Sequence, residues 1–308
     1  MAFLCYYFLM WQLYVLGSLI ASATENVIDK ASLLGNVAVD FFVASFWRPF
    51  LFFIVTVIIG LLGWVGVLHF SFYWGILLLA PIGAFSSLFY TYVLQKVEVT
   101  SATAITYVAP ILFLFIDAKL LHNGFALKII IGIILLVLGG IGFSINATTR
   151  KLKKELTPLV WGMLAFSVFW TGCEAYLFKY LNTTQGINGV SFFSSLWLLT
   201  SVVLLLIVLF KGKMALVFNS TSRTYAKQAF VSKTFDAVST ILWAQALTFV
   251  AVSQVSAYDA LYPLILFVLV LVVQGIFKRN LNEKLDRQHI VWKVVATICL
   301  VIGAILVG

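Results

Sequence analysis

Charged residues are scarce in this 308-residue sequence, and only 11 residues are acidic. Charged side chains make up 10% of the chain, whereas a soluble domain has about a quarter. Hydrophobic residues make up 63%, and the mean hydropathy is +1.09. Because so little charge leaves almost no polar face for water, the sequence predicts an integral membrane protein and excludes an ordinary soluble domain.

Cysteine and histidine are also rare, with three of each. The cysteines lie far apart in apolar runs, which favours small buried side chains over disulfides or metal ligands. The histidines are scattered, and no glycine-rich phosphate loop follows a strand. We therefore expect no metal, no cofactor and no ATP hydrolysis, and we predict that the chain is not an enzyme.

The net charge of +9 comes from basic residues in short gaps between apolar runs. In a membrane protein such residues are topology signals beside anionic lipid, so no nucleic-acid partner is expected. Fifteen lysines and arginines, with Lys233 counted among them, fall in the odd-numbered connectors. Only Lys119 and Lys128 fall in the even-numbered ones, so this bias predicts both chain termini outside the cytoplasm.

Long apolar runs determine the predicted fold class, which is all-α and integral to the membrane. A crossing helix needs about 20 apolar residues, so roughly ten crossings fit the chain. The second span is interrupted at Arg48-Pro49, and a basic connector at 150–155 marks the midpoint. The predicted spans are 5–34, 40–59, 73–94, 100–120, 127–145, 158–181, 190–210, 229–250, 256–277 and 290–307.

The two halves, 1–149 and 150–308, share sequence features. Glu25 precedes Lys30 by five residues, and Glu174 precedes Lys179 by five. A second alignment pairs Val97, Val99, Thr100, Ala104 and Pro110 with Val250, Val252, Ser253, Ala257 and Pro263. Five spans per half is an odd number, so the second half enters the membrane from the opposite side. The sequence thus predicts two inverted five-helix repeats, an architecture typical of secondary transporters.

Charges inside a membrane are candidates for function, because each costs ~3 kcal/mol at the bilayer centre. Glu25 and Asp29 are expected on one helix face, with Asn26 and Lys30 on another. In one interpretation Lys30 meets a substrate carboxylate or phosphate, and Glu25 meets an amine or a proton. In the other, Lys30 extends to the membrane surface beside a local acid. The repeat at Glu174 favours the first interpretation.

Two further charges have two interpretations each. Arg48 precedes Pro49 and suits bidentate carboxylate recognition, or else extends to the interface. Asp259, between Tyr258 and Tyr262, is a candidate for substrate or proton contact, or else an acid favoured at a helix N-terminus.

Local ion pairs with neighbouring lysines explain the two remaining acids, Asp117 and Asp236, without a functional role. Aromatic side chains near the polar positions are candidates to stack on a flat ligand. The complete set of predicted substrate-binding residues is Glu25, Asn26, Lys30, Trp47, Arg48, Tyr107, Trp170, Glu174, Lys179, Tyr258, Asp259 and Tyr262.

These motifs resemble the drug/metabolite transporter superfamily, specifically its EamA-like branch, over essentially the whole chain. That family often has a polar residue five positions before a lysine at the end of its first span. The matching positions here are Glu25 to Lys30, Gly172-Cys173-Glu174 to Lys179, Arg48, Pro110 and Pro263, and Gly132, Gly140 and Gly303. The glutamate usual after the fourth span is replaced by His122-Asn123.

The resemblance implies a multi-pass transporter of the cell (inner) membrane that works by alternating access. Its expected partners are a small-molecule substrate, the lipid bilayer and either protons or an exchanged solute, and we expect a monomer. Because acid and base both line the predicted cavity, an amino acid or a similar zwitterionic or aromatic compound is the expected substrate. The family implies cytoplasmic termini, which disagrees with the charge bias. A flippase for a lipid-linked substrate and a membrane-embedded enzyme are the alternatives.

Overall fold

A computed structural model gives the architecture. It describes residues 2–35, 39–63, 68–70, 72–96, 109–120, 125–144, 158–262, 264–266, 268–269 and 287–307. Within these ranges all regular structure is helical and no strand occurs. The prediction of an all-α chain is therefore confirmed.

Within the described ranges we number ten helices, and a one-turn helix, Met214–Val217, stays unnumbered. In chain order they are α1 Ala2–Gly35, α2 Phe41–Leu61, α3 Trp74–Lys96, α4 Ala109–Leu120, α5 Leu127–Ser144, α6 Pro158–Gln185, α7 Gly189–Phe210, α8 Ser220–Phe249, α9 Val252–Tyr258 and α10 Arg287–Val307. A 3₁₀ turn, Asp259–Leu261, follows α9 directly.

Capping residues mark several helix ends. At three N-termini a side-chain oxygen accepts a hydrogen bond from a backbone N–H two or three residues further on, and these caps are Asp40, Asn188 and Asn219. Gly186 and Gly212 follow α6 and α7 with φ of +66°, a conformation that glycine adopts without steric cost. These caps and glycines mark where the helices begin and end.

Helix α2 continues through Pro49, so the predicted interruption at Arg48-Pro49 is wrong. Proline removes one backbone donor, but a helix packed among others tolerates the loss because neighbouring groups satisfy the freed carbonyl. Both Arg48 and Pro49 are buried. The continuous helix therefore holds Arg48 inside the bundle.

Three helices contain segments long and apolar enough to cross a membrane. These are Phe41–Leu61, Trp74–Tyr92 and Gly189–Phe210, with mean hydropathies of 2.1, 1.5 and 2.5. Large apolar side chains such as Phe115, Leu138 and Ile305 are exposed on the outside of the bundle. Exposed apolar surface of this extent suits contact with lipid. Ten crossings stay a prediction.

Helix packing joins the two halves of the chain throughout. Helix α1 packs on α8 and α3 packs on α6, while α2 contacts both α7 and α8. Helix α3 also packs on α7, α4 on α9, and α5 on α10. The main core includes Trp11, Phe52 and Phe113 from the first half, and Phe178 and Phe193 from the second. Among the described residues, all three clusters of buried apolar side chains contain residues of both halves.

Glycines bring α5 and α10 into close contact. A Cβ atom added at Gly303 would lie 2.8 Å from the backbone oxygen of Gly132, and one added at Gly132 would lie 2.9 Å from the oxygen of Gly303. At Gly142, further along α5, the nearest atom to an added Cβ is 3.7 Å away. Small residues permit such backbone contact between helices where lipid provides no hydrophobic driving force.

We predict that Gly303→Ala and Gly132→Ala each lower stability by about 1–3 kcal/mol, because the added methyl group meets backbone that cannot rotate away. Reversible unfolding of the purified protein in mixed detergent micelles measures the change. Gly142→Ala is the matched control and should be neutral or slightly stabilising, since alanine favours helix. Equal effects at all three positions would contradict the proposed close contact.

Candidate functional site

Opposite charges meet where α1 and α2 pack together. Glu25 and Asp29 lie one helical turn apart on α1, and Arg48 of α2 reaches both. Its Nη2 atom is 2.6 Å from Asp29 Oδ2 and 3.5 Å from Glu25 Oε1. Arg48 is 6% exposed and Asp29 is fully buried. The alternative in which Arg48 extends to the membrane surface is therefore wrong.

Lysine 233 of α8 completes this group from the second half of the chain. The Nζ atom of Lys233 is 2.6 Å from Glu25 Oε1, 3.5 Å from Asp29 Oδ2 and 2.7 Å from Asp236 Oδ2. The neighbouring Ser232 hydroxyl donates a hydrogen bond to Asp29 Oδ1. We call Glu25, Asp29, Arg48, Lys233 and Asp236 the charge cluster. The predicted local pair between Lys233 and Asp236 is confirmed, but it belongs to this larger arrangement.

Polar and aromatic groups of α1 and α3 border the charge cluster. The Tyr90 hydroxyl donates a hydrogen bond to Asn26 Oδ1. The Tyr90 ring centroid lies 4.7 Å from Arg48 Cζ, a distance at which a guanidinium is attracted to an aromatic face. Tyr90 therefore binds the Asn26 amide through its hydroxyl and stabilises the position of Arg48 through its ring.

Burial makes the pairing in the charge cluster obligatory. Removing a charge from water costs several kcal/mol, and a nearby opposite charge recovers this only with good geometry. Each basic group here meets at least two carboxylates, and Lys233 is only 2% exposed. The cluster therefore ties α1 to α2 and α8, and separating these helices requires that its charges find other partners.

A second polar arrangement surrounds the short connection between α8 and α9. The Lys179 Nζ atom donates to the backbone oxygens of Leu247, at 3.3 Å, and Val250. Asp117 Oδ2 accepts from the backbone N–H of Ser253 at 2.8 Å. A cation thus meets the carbonyl end of one helix and an anion meets the N–H end of the next, as the helix dipoles favour.

This arrangement revises the expected partner of Asp117 and shows the contacts of Lys179. Asp117 was expected to pair with Lys119, but it is buried and bonded to α9, while Lys119 is exposed. Lys179 does not pair with Glu174, although five residues separate both acid–lysine pairs in the sequence. Its contacts give Lys179 a structural role, and its part in substrate binding stays a prediction.

The other predicted site residues lie in several places. Trp47 donates from its indole nitrogen to Ser222 at 2.7 Å, and Trp170 packs edge-on against Trp197 in the core. The Tyr258 hydroxyl donates to the oxygen of Ala304 at 2.8 Å. Asp259 is half-buried beside the Trp243 indole, and Tyr262 is buried. The side chain of Lys30 and all of Tyr107 lie outside the described residues.

Sequence reasoning missed Lys233, which binds acids of the first half from the second half. The charge count assigned it to a cytoplasmic connector, whereas it lies thirteen residues inside α8. Its signal was the acid three positions later, because Lys233 and Asp236 share a helix face within a run of otherwise apolar and small residues. Tyr90 and Ser232 carry no comparable signal in the sequence.

Comparison with known proteins gives the fold alone. No family model and no curated protein matches the chain. One solved structure, described only as a crystal structure of a protein, is similar over 96% of this chain and 95% of its own, with a TM-score of 0.70 and 16% identity. The chain therefore shares its fold with a solved protein, and at this identity the similarity carries no function.

We predict that Arg48→Met lowers stability by about 3–5 kcal/mol, because it leaves the Asp29 carboxylate buried beside a second acid. The double variant Arg48→Met/Asp29→Leu should lose much less than the sum of the single changes. Unfolding in mixed micelles measures all three variants. The control is Lys213→Met, which removes a half-exposed ion pair with Asp40 and should cost about 0–1 kcal/mol. Additive losses in the double variant would refute the pairing.

We also predict that Asp117→Asn and Lys179→Met loosen the connection between α8 and α9. Each change removes a charged partner from a helix end, at a cost of about 1–2 kcal/mol in a buried position. Hydrogen–deuterium exchange of the backbone amides at 250–254 measures the loosening. Lys119→Met is the control, since its side chain is exposed. Unchanged exchange in both variants would be inconsistent with this capping role.

Proposed function

We propose that this chain is a secondary transporter that moves a small polar metabolite across the cell (inner) membrane. Its two halves, 1–149 and 150–308, would act as inverted five-helix repeats that alternate access to a site between them. The observation that carries the proposal is the buried charge cluster, in which carboxylates of the first half bind an amine of the second.

The pattern of helix packing supports the two repeats. If the halves are repeats, helices α1 to α5 correspond in order to α6 to α10. Each contact can then be compared with the contact between the two corresponding helices. This correspondence turns the α1–α8 contact into α6–α3 and the α2–α8 contact into α7–α3, and all four contacts occur. It returns the α2–α7, α4–α9 and α5–α10 contacts to themselves. Two related halves that face each other would produce this pattern.

The charge cluster supports alternating access for an energetic reason. Glu25 and Asp29 bind Lys233 across the boundary between the halves, so the halves cannot separate there without breaking buried ion pairs. A polar solute or a proton can supply substitute partners and lower that cost. Intramembrane charges are accordingly typical of substrate and proton pathways in transporters.

The expected substrate is an amino acid or a similar zwitterionic or aromatic compound, since acidic and basic groups lie together at the boundary. A proton gradient, solute exchange or the solute gradient itself would supply the driving force. Glu25, Asn26 and Arg48 of the predicted site belong to the charge cluster or border it, and Glu174 is a buried acid on α6.

Reconstitution in liposomes tests the proposal. We predict that the purified protein moves at least one amino acid or similar metabolite faster than empty liposomes do. Lys233→Gln should reduce this flux at least tenfold, because Glu25 and Asp29 lose their partner in the second half. Glu25→Gln, Lys30→Ala and Glu174→Gln should also impair transport at unchanged membrane abundance.

The matched control is Lys227→Gln, since Lys227 lies on the same helix but is exposed. Lys233→Arg keeps the charge and should retain part of the flux. Absence of flux for every solute would falsify the proposal. Equal losses at Lys227 and Lys233 would also count against it, and flux of a lipid-linked substrate alone would support the flippase instead.

A further inference from the structure

The ion pairs of the charge cluster are of two kinds, those within one half of the chain and those between the halves. Arg48 and Asp29 both belong to the first half, with 2.6 Å between Nη2 and Oδ2. Lys233 and Asp236 both belong to α8, with 2.7 Å between Nζ and Oδ2. The pairs of the cluster that join the halves are those of Lys233 with Glu25 and Asp29, at 2.6 and 3.5 Å. A separation of the halves at this place therefore breaks the second kind of pair and keeps the first.

Such a separation leaves one acid of the cluster without a partner. In the second half, Asp236 keeps the ammonium group of Lys233, and this pair is neutral. In the first half, Glu25 keeps a 3.5 Å contact with Arg48 Nη2, the same nitrogen that binds Asp29 at 2.6 Å. One guanidinium then faces two carboxylates, so the first half carries one surplus negative charge. A buried charge without a partner is costly, and separation therefore requires a cation at Glu25.

The other elements that pack on α1 bring no further charge to Glu25. From α3, the Tyr90 hydroxyl donates to the amide of Asn26, next to Glu25 in the sequence. On α9, Tyr258 packs against Trp11, which lies about 21 Å from Glu25 along α1. The titratable groups that face Glu25 in the described part of the chain are therefore those of the cluster itself, which are Asp29, Arg48, Lys233 and Asp236.

Lysines elsewhere in the second half do not replace Lys233. The amine of Lys179 is bound to the backbone oxygens of Leu247 and Val250, at the other end of α8. Lys213 is bound to the carboxylate of Asp40. The described residues thus offer no second cation for Glu25, and the compensating charge is expected from the surrounding water.

Burial favours a proton over a larger cation at this position. The side chain of Glu25 is 6% exposed, and Lys233 and Arg48 both contact its Oε1 atom. A cation with heavy atoms must displace these groups before it reaches the carboxylate, whereas a proton adds no volume. Water comes close at Asp236, whose side chain is 32% exposed and shares the amine of Lys233. A proton can therefore arrive while α1 and α8 are still packed together.

We infer that Glu25 takes up one proton when the halves separate, and that Asp236 is the positioning residue that keeps Lys233 in that step. This inference rests on the proposed transport function and names its coupling ion. The proton comes from water and forms an O–H bond on the Glu25 carboxylate, while Lys233 keeps its three ammonium protons. Each half then contains one neutral ion pair and no surplus charge.

Distances between α1 and α8 test the inference without a substrate. Nitroxide spin labels would be attached at Ile20→Cys and Lys227→Cys, two exposed positions within two turns of Glu25 and Lys233. The full-length chain would carry alanine in place of its three native cysteines and would be placed in lipid nanodiscs. Pulsed electron paramagnetic resonance then gives the distribution of distances between about pH 8 and pH 5.

We predict a second, longer distance whose share grows as the pH falls. Because the separated state holds one more proton, the ratio of separated to packed molecules should rise by up to about tenfold per pH unit. Glu25→Gln should change this ratio less than about twofold over the whole range, since its separation requires no proton. Asp236→Asn should need a pH about one unit lower for the same ratio, because Lys233 loses its remaining partner, and Asp236→Glu should restore the profile.

Asp40→Asn is the matched control. Asp40 also binds a lysine of the second half, Lys213, but both side chains are partly exposed to water, and asparagine also caps a helix. The control should keep the pH profile of the wild type. A single distance at every pH, or full pH dependence in Glu25→Gln, would overturn the inference, and an unchanged profile in Asp236→Asn would overturn the role of Asp236.

Two further outcomes separate this inference from its alternatives. Separation that phenethylamine induces at about pH 8, with no effect of pH, would assign the cation to an ammonium group and overturn the proton. Separation that depends on pH, without flux of any solute in liposomes, would overturn the transport function alone. Flux with a distance distribution that is independent of pH would overturn the proton site alone.

Discussion

The interaction on which this structure depends is the binding of Lys233 to two carboxylates of α1. It joins positions 208 residues apart, in opposite halves of the chain, at a place where water is excluded. Apolar packing alone is weak at holding helices in one arrangement, because the surrounding lipid is as apolar as the side chains. A buried ion pair is directional, and losing one partner is costly, so it selects a single register of α1 against α8.

The charge cluster and the contacts of Lys179 and Asp117 hold different parts of the structure together. The charge cluster links α1, α2 and α8 through ion pairs between side chains. The contacts of Lys179 and Asp117 instead satisfy backbone groups at a two-residue connection, where α8 ends and α9 begins. Backbone groups in a membrane must be bonded in every state, so these contacts suit a fixed point.

The charge cluster and the closest glycine contact lie in different parts of the fold. The charge cluster joins α1, α2 and α8 through buried ion pairs. The close packing of α5 and α10 through Gly132 and Gly303 lies elsewhere and carries no charge. The close contact between α5 and α10 and the ion pairs of the charge cluster are therefore separate features of the fold. Both are compatible with the proposed movement of one half relative to the other.

The sequence by itself determined the class of the protein and much of the candidate site. Composition predicted helices in a membrane, and helical periodicity placed Glu25 and Asp29 on one face. It also singled out Arg48 and Glu174 as charges that need an explanation. These features are local, since they depend on a residue and its neighbours within a few turns.

Only the tertiary structure decided which charges meet. It bound Arg48 to Asp29, brought Lys233 to Glu25, and turned Lys179 away from Glu174 to the end of α8. The periodicity of a helix fixes which side chains share a face, but not which other helix that face contacts. The partner of a buried charge is set by the packing of distant segments, and no local pattern contains that information.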